Sequence, residues 1–87
     1  MAARKVARIN DLISHGGEII EGSPNVTANG RKVARLNDKV QCDVHGLQMI
    51  ITASEVAYAN SKGIARLDDE ISCGALITTA SPNVWCG

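Results

Sequence analysis

Four residues of this chain have the types and placement to do chemistry together: His15, Cys42, His45 and Cys73. Two imidazoles and two thiols suit a tetrahedral zinc ion, which prefers thiolate and imidazole donors. A full shell of four protein ligands marks a structural rather than a catalytic site. Three of the four are followed directly by glycine, in His15-Gly16, His45-Gly46 and Cys73-Gly74, so the backbone can bend sharply at the ligand. Only Cys42-x-x-His45 is a local pair. Each residue also has a plainer reading: a histidine beside glycine in a loop is often simply solvated, a free cysteine is often a small core residue, and Cys42 and Cys73 could pair as a disulfide. Cys86 falls outside the pattern and reads as a buried or terminal thiol.

A repeat relates the distant members to one another. Val33-Ala34-Arg35-Leu36-Asn37-Asp38 returns as Val6-Ala7-Arg8-Ile9-Asn10-Asp11 and, slightly changed, as Ile64-Ala65-Arg66-Leu67-Asp68-Asp69. Four residues beyond each closing aspartate stands His15, Cys42 or Cys73. Gly22 to Asp38 and Ala53 to Asp69 align without a gap. A third copy opens at Ala80-Ser81-Pro82-Asn83-Val84-Trp85-Cys86-Gly87 and is completed by Arg4 to Asp11. The chain is therefore a circularly permuted set of three units whose termini should lie side by side on one shared hairpin. The aspartates are 27, 31 and, counted round through the termini, 29 positions apart, and the four surplus residues of the middle unit lie in the loop that holds Cys42 and His45.

Each unit reads as a β-hairpin. Asn25 to Ala28 and Arg31 to Leu36 flank Asn29-Gly30, both of which accept the positive φ of a type I′ turn. In the second unit Asn60-Ser61 or Lys62-Gly63 takes that place. The short β-branched runs Glu18-Ile19-Ile20, Met49 to Thr52 and Ala75 to Thr79 favour strand over helix. Gly and Pro punctuation leaves room for one short helical turn at most. The arginines and aspartates of the repeat read as loop-stabilising ion pairs on the surface, and Trp85 reads as packing.

Composition bounds the rest. An 87-residue chain with no Phe, one Trp and one Tyr is one domain over residues 1–87, with a core of Ala, Val, Ile and Leu that needs help from something besides apolar burial. Nine basic and nine acidic residues leave a formal net charge of zero, which excludes the basic footprint of a nucleic-acid binder. No run reaches membrane-span length and the start of the chain lacks the apolar stretch of a secretory signal, so synthesis in the cytoplasm without signal-peptide export is expected. In that compartment cysteines point to metal or free thiol before disulfide.

At the three repeats with their hairpins and ligands, the chain resembles the PAAR-repeat proteins, caps of bacterial contractile injection machines such as the type VI secretion system. Ser14-His15-Gly16-Gly17, Gly22-Ser23-Pro24, Asn29-Gly30, Ser72-Cys73-Gly74 and Ala80-Ser81-Pro82 fit that pattern well. The Pro-Ala-Ala-Arg tetrad aligns with Lys5-Val6-Ala7-Arg8, Lys32-Val33-Ala34-Arg35 and Gly63-Ile64-Ala65-Arg66, without its proline, and Ala2-Ala3-Arg4 is out of register. The resemblance implies a small conical, mostly β domain of three pseudo-threefold hairpin repeats, stapled by one zinc ion near the tip, with iron as the other metal to consider. Members are often described with three His and one Cys, where this chain offers two and two. The implied role is non-enzymatic: one cap on the blunt end of a trimeric VgrG-type or phage spike, sharpening it for membrane puncture, with effectors carried separately and delivery out of the cell on the spike. Its base is expected to expose Ala, Val and Ile faces of the hairpins. The rivals are a stand-alone structural zinc-binding adaptor with no spike partner and a small zinc hydrolase. The hydrolase would need an open coordination position, and Asp43 is the only carboxylate within the ligand cluster.

Overall fold

The computed structural model describes residues 3–87. Met1 and Ala2, and with them the start of the out-of-register Ala2-Ala3-Arg4 tetrad, lie outside the described residues. Nine short strands and no helix make up the described chain: β1 (Arg4–Lys5), β2 (Gly17–Ile19), β3 (Thr27–Ala28), β4 (Arg31–Lys32), β5 (Lys39–Cys42), β6 (Gly46–Met49), β7 (Tyr58–Ala59), β8 (Lys62–Gly63) and β9 (Trp85–Cys86). The mostly β reading holds, and the short helical turn it left room for is absent among these residues.

Turn chemistry fixes the hairpins. β3 and β4 pair antiparallel across Asn29 (φ 55°) and Gly30 (φ 76°), and β7 and β8 across Asn60 (φ 54°) and Ser61 (φ 66°). Both central residues of each turn are left-handed, as a type I′ turn requires, and the second unit uses Asn60-Ser61. The third hairpin is closed by the two ends of the chain, with Arg4 opposite Cys86 and Lys5 opposite Trp85. The termini therefore do share one hairpin. The four surplus residues of the middle unit let β5 and β6 form a ladder that β2 joins on the other side. The shorter equivalents have only isolated bridges, Leu12 with Glu18 and Glu70 with Leu76, so the run from Ala75 to Thr79 forms no strand, and of the run from Met49 to Thr52 only Met49 lies in one.

Three alanines tie the units together. The Ala7 N–H donates to the Ala65 carbonyl, Ala34 to Ala7 and Ala65 to Ala34, each at 2.9 Å, and the ring closes on itself. All three are fully buried. Backbones can converge this closely only where side chains are small, which is why the same position is alanine in every unit. Side chains alternate sides along an extended chain: Ala7, Ala34 and Ala65 join a core with Ile13, Ile19, Val40, Ile50, Ile71, Ala75, Ile77 and Cys42, whereas their neighbours Val6, Val33 and Ile64 pack with Ala28, Ala59 and Cys86 of the hairpins. Two apolar layers thus lie on either side of the alanine ring.

The repeated aspartates are not on the surface, as the sequence suggests; they are buried at the seams between units, with Arg8 and Arg35 buried beside them and Arg66 partly buried. Each sits at the ends of a turn closed by an N–H to carbonyl bond, Asp11 to Arg8, Asp38 to Arg35 and Asp69 to Arg66, all at 3.0 Å. The left-handed residues Asn10, Asn37 and Asp68 (φ 71°, 70° and 70°) take the third position of these turns, a place open to Asn and Asp because their short polar side chains tolerate that backbone. Each carboxylate accepts the arginine backbone N–H and two guanidinium N–H groups, as in Asp38 with Arg35 Nε at 2.8 Å and Nη2 at 2.9 Å. A second cation reaches the same carboxylate from a hairpin strand: Arg31 at Asp11 (3.1 Å), Lys62 at Asp38 (4.0 Å) and Arg4 at Asp69 (2.8 Å). A buried carboxylate is tolerable only when paired and fully hydrogen-bonded, and these are. No buried polar side-chain atom lacks a partner among the described residues.

Candidate metal centre

Two equivalent turns and one hairpin carry the four residues. Ile13-Ser14-His15-Gly16 is closed by Gly16 N–H to the Ile13 carbonyl (3.1 Å), and Ile71-Ser72-Cys73-Gly74 by Gly74 N–H to the Ile71 carbonyl (2.8 Å). Ile13 and Ile71 are buried and anchor the turns in the core. Gly16 (φ 80°) and Gly74 (φ 92°) supply the left-handed bend directly after each ligand. Cys42 ends β5, where the inward alternation that buries Val40 also buries its thiol. His45 stands three residues further on, in the surplus segment that joins β5 to β6, just before left-handed Gly46 (φ 78°).

The structure brings all four together. One donor atom from each lies within 4.8 Å of every other, and this is the His/Cys/acidic group of metal-holding geometry found among the described residues. Cys42 Sγ is 3.6 Å from His45 Nδ1, Cys73 Sγ is 3.6 Å from His15 Nδ1, and the two sulfurs are 3.8 Å apart. A tetrahedron with metal–sulfur bonds of about 2.3 Å and metal–nitrogen bonds of about 2.0–2.1 Å has S–N edges of about 3.6 Å and S–S edges of about 3.8 Å. These three separations match those edges, so the donor set and its spacing are compatible with one four-coordinate ion. The imidazole rings stand 5.3 Å apart, centroid to centroid.

Local electrostatics favour a thiolate. Burial pushes the Cys42 thiol up, but the backbone N–H groups of His45 and Val44, together with the His45 and Cys73 side chains, outweigh it and bring Cys42 from an ordinary 9.0 to about 6. Cys86 goes the other way. Burial in the hairpin-side layer raises its pKa, against Arg66, and it takes no part in the cluster. Cys42, Cys73 and Cys86 are free thiols, so the disulfide alternative is not taken in this state. Asp43 is exposed and stands outside the cluster.

The residues that position the four clustered side chains do not stand out in the sequence. Gly17 faces Cys42 across the β2–β5 ladder, has φ 109°, and would carry a Cβ 2.0 Å from the Gln41 carbonyl oxygen. Only a residue without a side chain lets the strand after His15 lie against the strand of Cys42. The Ser14 hydroxyl accepts the Leu76 N–H at 3.0 Å and the Ser72 hydroxyl accepts the Met49 N–H at 3.2 Å, which locks each ligand turn to its neighbour. Their signal is the serine preceding both His15 and Cys73. Trp85, which reads as packing, is 52% exposed. A cleft of ≈ 380 Å³, lined by residues that include Leu36, Ile51, Tyr58 and Gly63, contains none of the four ligand candidates.

No curated protein matches this chain closely enough to count as a relative. The family model for the PAAR motif matches residues 9–79, a span that holds all four clustered residues and both internal hairpin turns. Proteins of that family serve as structural spike-tip components of contractile injection systems. With three hairpin units closed by an alanine ring and most of its length matched, this chain belongs to the PAAR-motif family.

Proposed function

We propose that the chain is a non-enzymatic cap that binds one structural zinc ion through His15, Cys42, His45 and Cys73 and seats on the end of a trimeric VgrG-type or phage spike, sharpening it for passage through a membrane. The observation that carries this reading is the closed ring of Ala7, Ala34 and Ala65. A single chain can match a three-fold partner only if it presents the same surface three times, and the ring relates the units in that way. The spacing supports zinc: four protein donors lie within 4.8 Å of one another, three of their separations match tetrahedral edges, and a full shell of four would leave no open position for substrate. That chemistry favours a staple over a hydrolase.

Of the Ala, Val and Ile faces that the sequence suggests for the base, part is exposed and part is buried. Ala28, Ala59, Val6 and Val33 are buried, and the hairpin segments instead expose Val26, Val56, Tyr58, Val84 and Trp85. Apolar groups presented by all three hairpins give a three-fold partner a repeated surface to read. Zinc-loaded protein should capture the spike protein encoded beside it, and Val56→Asp together with Trp85→Asp should abolish capture while elemental analysis still finds one zinc per chain. Capture that survives both charges would remove the hairpin face as the seat. Zinc-loaded protein that never binds a spike would leave the stand-alone adaptor.

A further inference from the structure

The pair Cys42 and Cys73 sets this centre apart from one with a single sulfur. Their sulfurs are 3.8 Å apart, so about 1.8 Å of approach would reach S–S bonding distance. Cys73 is the less enclosed of the two: it lies in a turn, packs against the core but is partly exposed, and is followed by Gly74, around which no other atom lies within 4 Å of a would-be Cβ. Cys42 is held at the end of β5 and buried. The two come from different units, so a bond between them would close the same gap that the metal closes. Cys86 packs in the other apolar layer.

We propose that Cys42 and Cys73 form a redox-convertible staple, in which a peroxide oxidises the two thiolates to a disulfide as the metal leaves. The proposal rests on the reading of the four residues as a zinc site. Cys73, the accessible sulfur, attacks one peroxide oxygen; the O–O bond breaks, Cys73 becomes a sulfenic acid, and the departing hydroxide takes up a proton as water. Cys42 then attacks the Cys73 sulfur, the S–O bond breaks, and the second hydroxide leaves as water. Two electrons pass from the two sulfurs to one peroxide, two protons are consumed, and the ion loses two of its four ligands. The thiolate is the reactive form in both steps. A tip moving from a reducing to an oxidising compartment would then exchange a metal staple for a covalent one.

The test uses the full chain carrying Cys86→Ser, purified and assayed first for zinc. One zinc per chain supports the site, and its absence would sink the site reading independently of the redox chemistry. Hydrogen peroxide is then added with a chromogenic zinc chelator. The expected result is release of the zinc in step with loss of two thiols, a mass lower by two hydrogens, and a Cys42–Cys73 cross-linked peptide in a non-reducing digest. Dithiothreitol plus zinc should restore the starting mass and metal. The oxidised, metal-free protein should keep a cooperative melt well above that of chelator-stripped, reduced protein. Sulfinic or sulfonic acid at Cys73, disulfide between chains, or thiols that survive peroxide would each overturn the proposal.

Discussion

At the scale of single residues, the four residues that cluster are legible in the sequence and the buried charges between units are not. His15, Cys42 and Cys73 declare themselves because they recur at one offset from the repeated aspartate, and His45 because it sits in the surplus of one unit. Arg8, Arg35 and Arg66 with their aspartates read as surface pairs because charge is ordinarily solvated. Their burial comes from the closing of three units around a common axis, which no single repeat reveals. Arg35 is 7% exposed and Asp38 fully buried, and hydrogen bonding to Asp38 holds the Arg35 guanidinium charged. Arg35→Met should therefore cost about 3–5 kcal/mol, because it leaves a buried carboxylate with only its backbone N–H and Lys62 at 4.0 Å. Denaturant unfolding of zinc-loaded protein measures this, and a loss below about 1 kcal/mol would place the pair in the class of surface ion pairs after all. Acid should act at Cys42. Its pKa is lower folded (about 6) than its ordinary 9.0, so its share of stability is complete above pH 9 and lost as pH falls through about 6; bound metal would lower that point further. Zinc release and loss of the folded signal should coincide at or below about pH 6, and release above about pH 7 would contradict it.

Elements follow their turns more faithfully than their apolar runs. Asn29-Gly30 fixes a hairpin at the position read from sequence, and Asn60-Ser61 serves as its counterpart because asparagine reaches positive φ at low cost. The run from Ala75 to Thr79 and, beyond Met49, the run to Thr52 are as β-branched as the others yet form no more than bridges, since a ladder needs a partner and the four extra residues of the middle unit supply one only to β5 and β6. Gly17 escapes notice because nothing in a sequence tells a glycine that bends the chain from one that makes space for another strand. The difference is measurable. Gly17→Ala puts a Cβ 2.0 Å from the Gln41 carbonyl oxygen, whereas Gly30→Ala meets nothing within 4 Å. Gly30→Ala should cost about 1–2 kcal/mol for its left-handed backbone alone. Gly17→Ala should cost at least twice as much and lower zinc content with it, because the carbonyl it strikes belongs to the strand that carries Cys42. Equal unfolding midpoints for the two variants would show that the β2–β5 contact does not set the site.

For the whole molecule, the three-fold plan is readable from the repeats and the closure of the termini, while its axis is not. The serines of Gly22-Ser23, Ala53-Ser54 and Ala80-Ser81 show how the plan is executed. Each hydroxyl accepts two backbone N–H groups of its own hairpin, as Ser23 does from Asn25 and Val26. Ser23 donates to Asn60 and Ser81 to Asn29 across two seams. Arg8 and Arg35 bind the same asparagines, and at the third seam Arg66 turns to the Gly87 carbonyl at 2.9 Å. The symmetry is thus one of backbone and packing, with local substitutions in the polar detail, and it is this near-equivalence that a three-fold partner would read. The mass of the complex between zinc-loaded protein and its spike, taken by light scattering or native mass spectrometry, tests that most directly. One chain of this protein on three spike chains is the predicted result; a three-to-three assembly would contradict it.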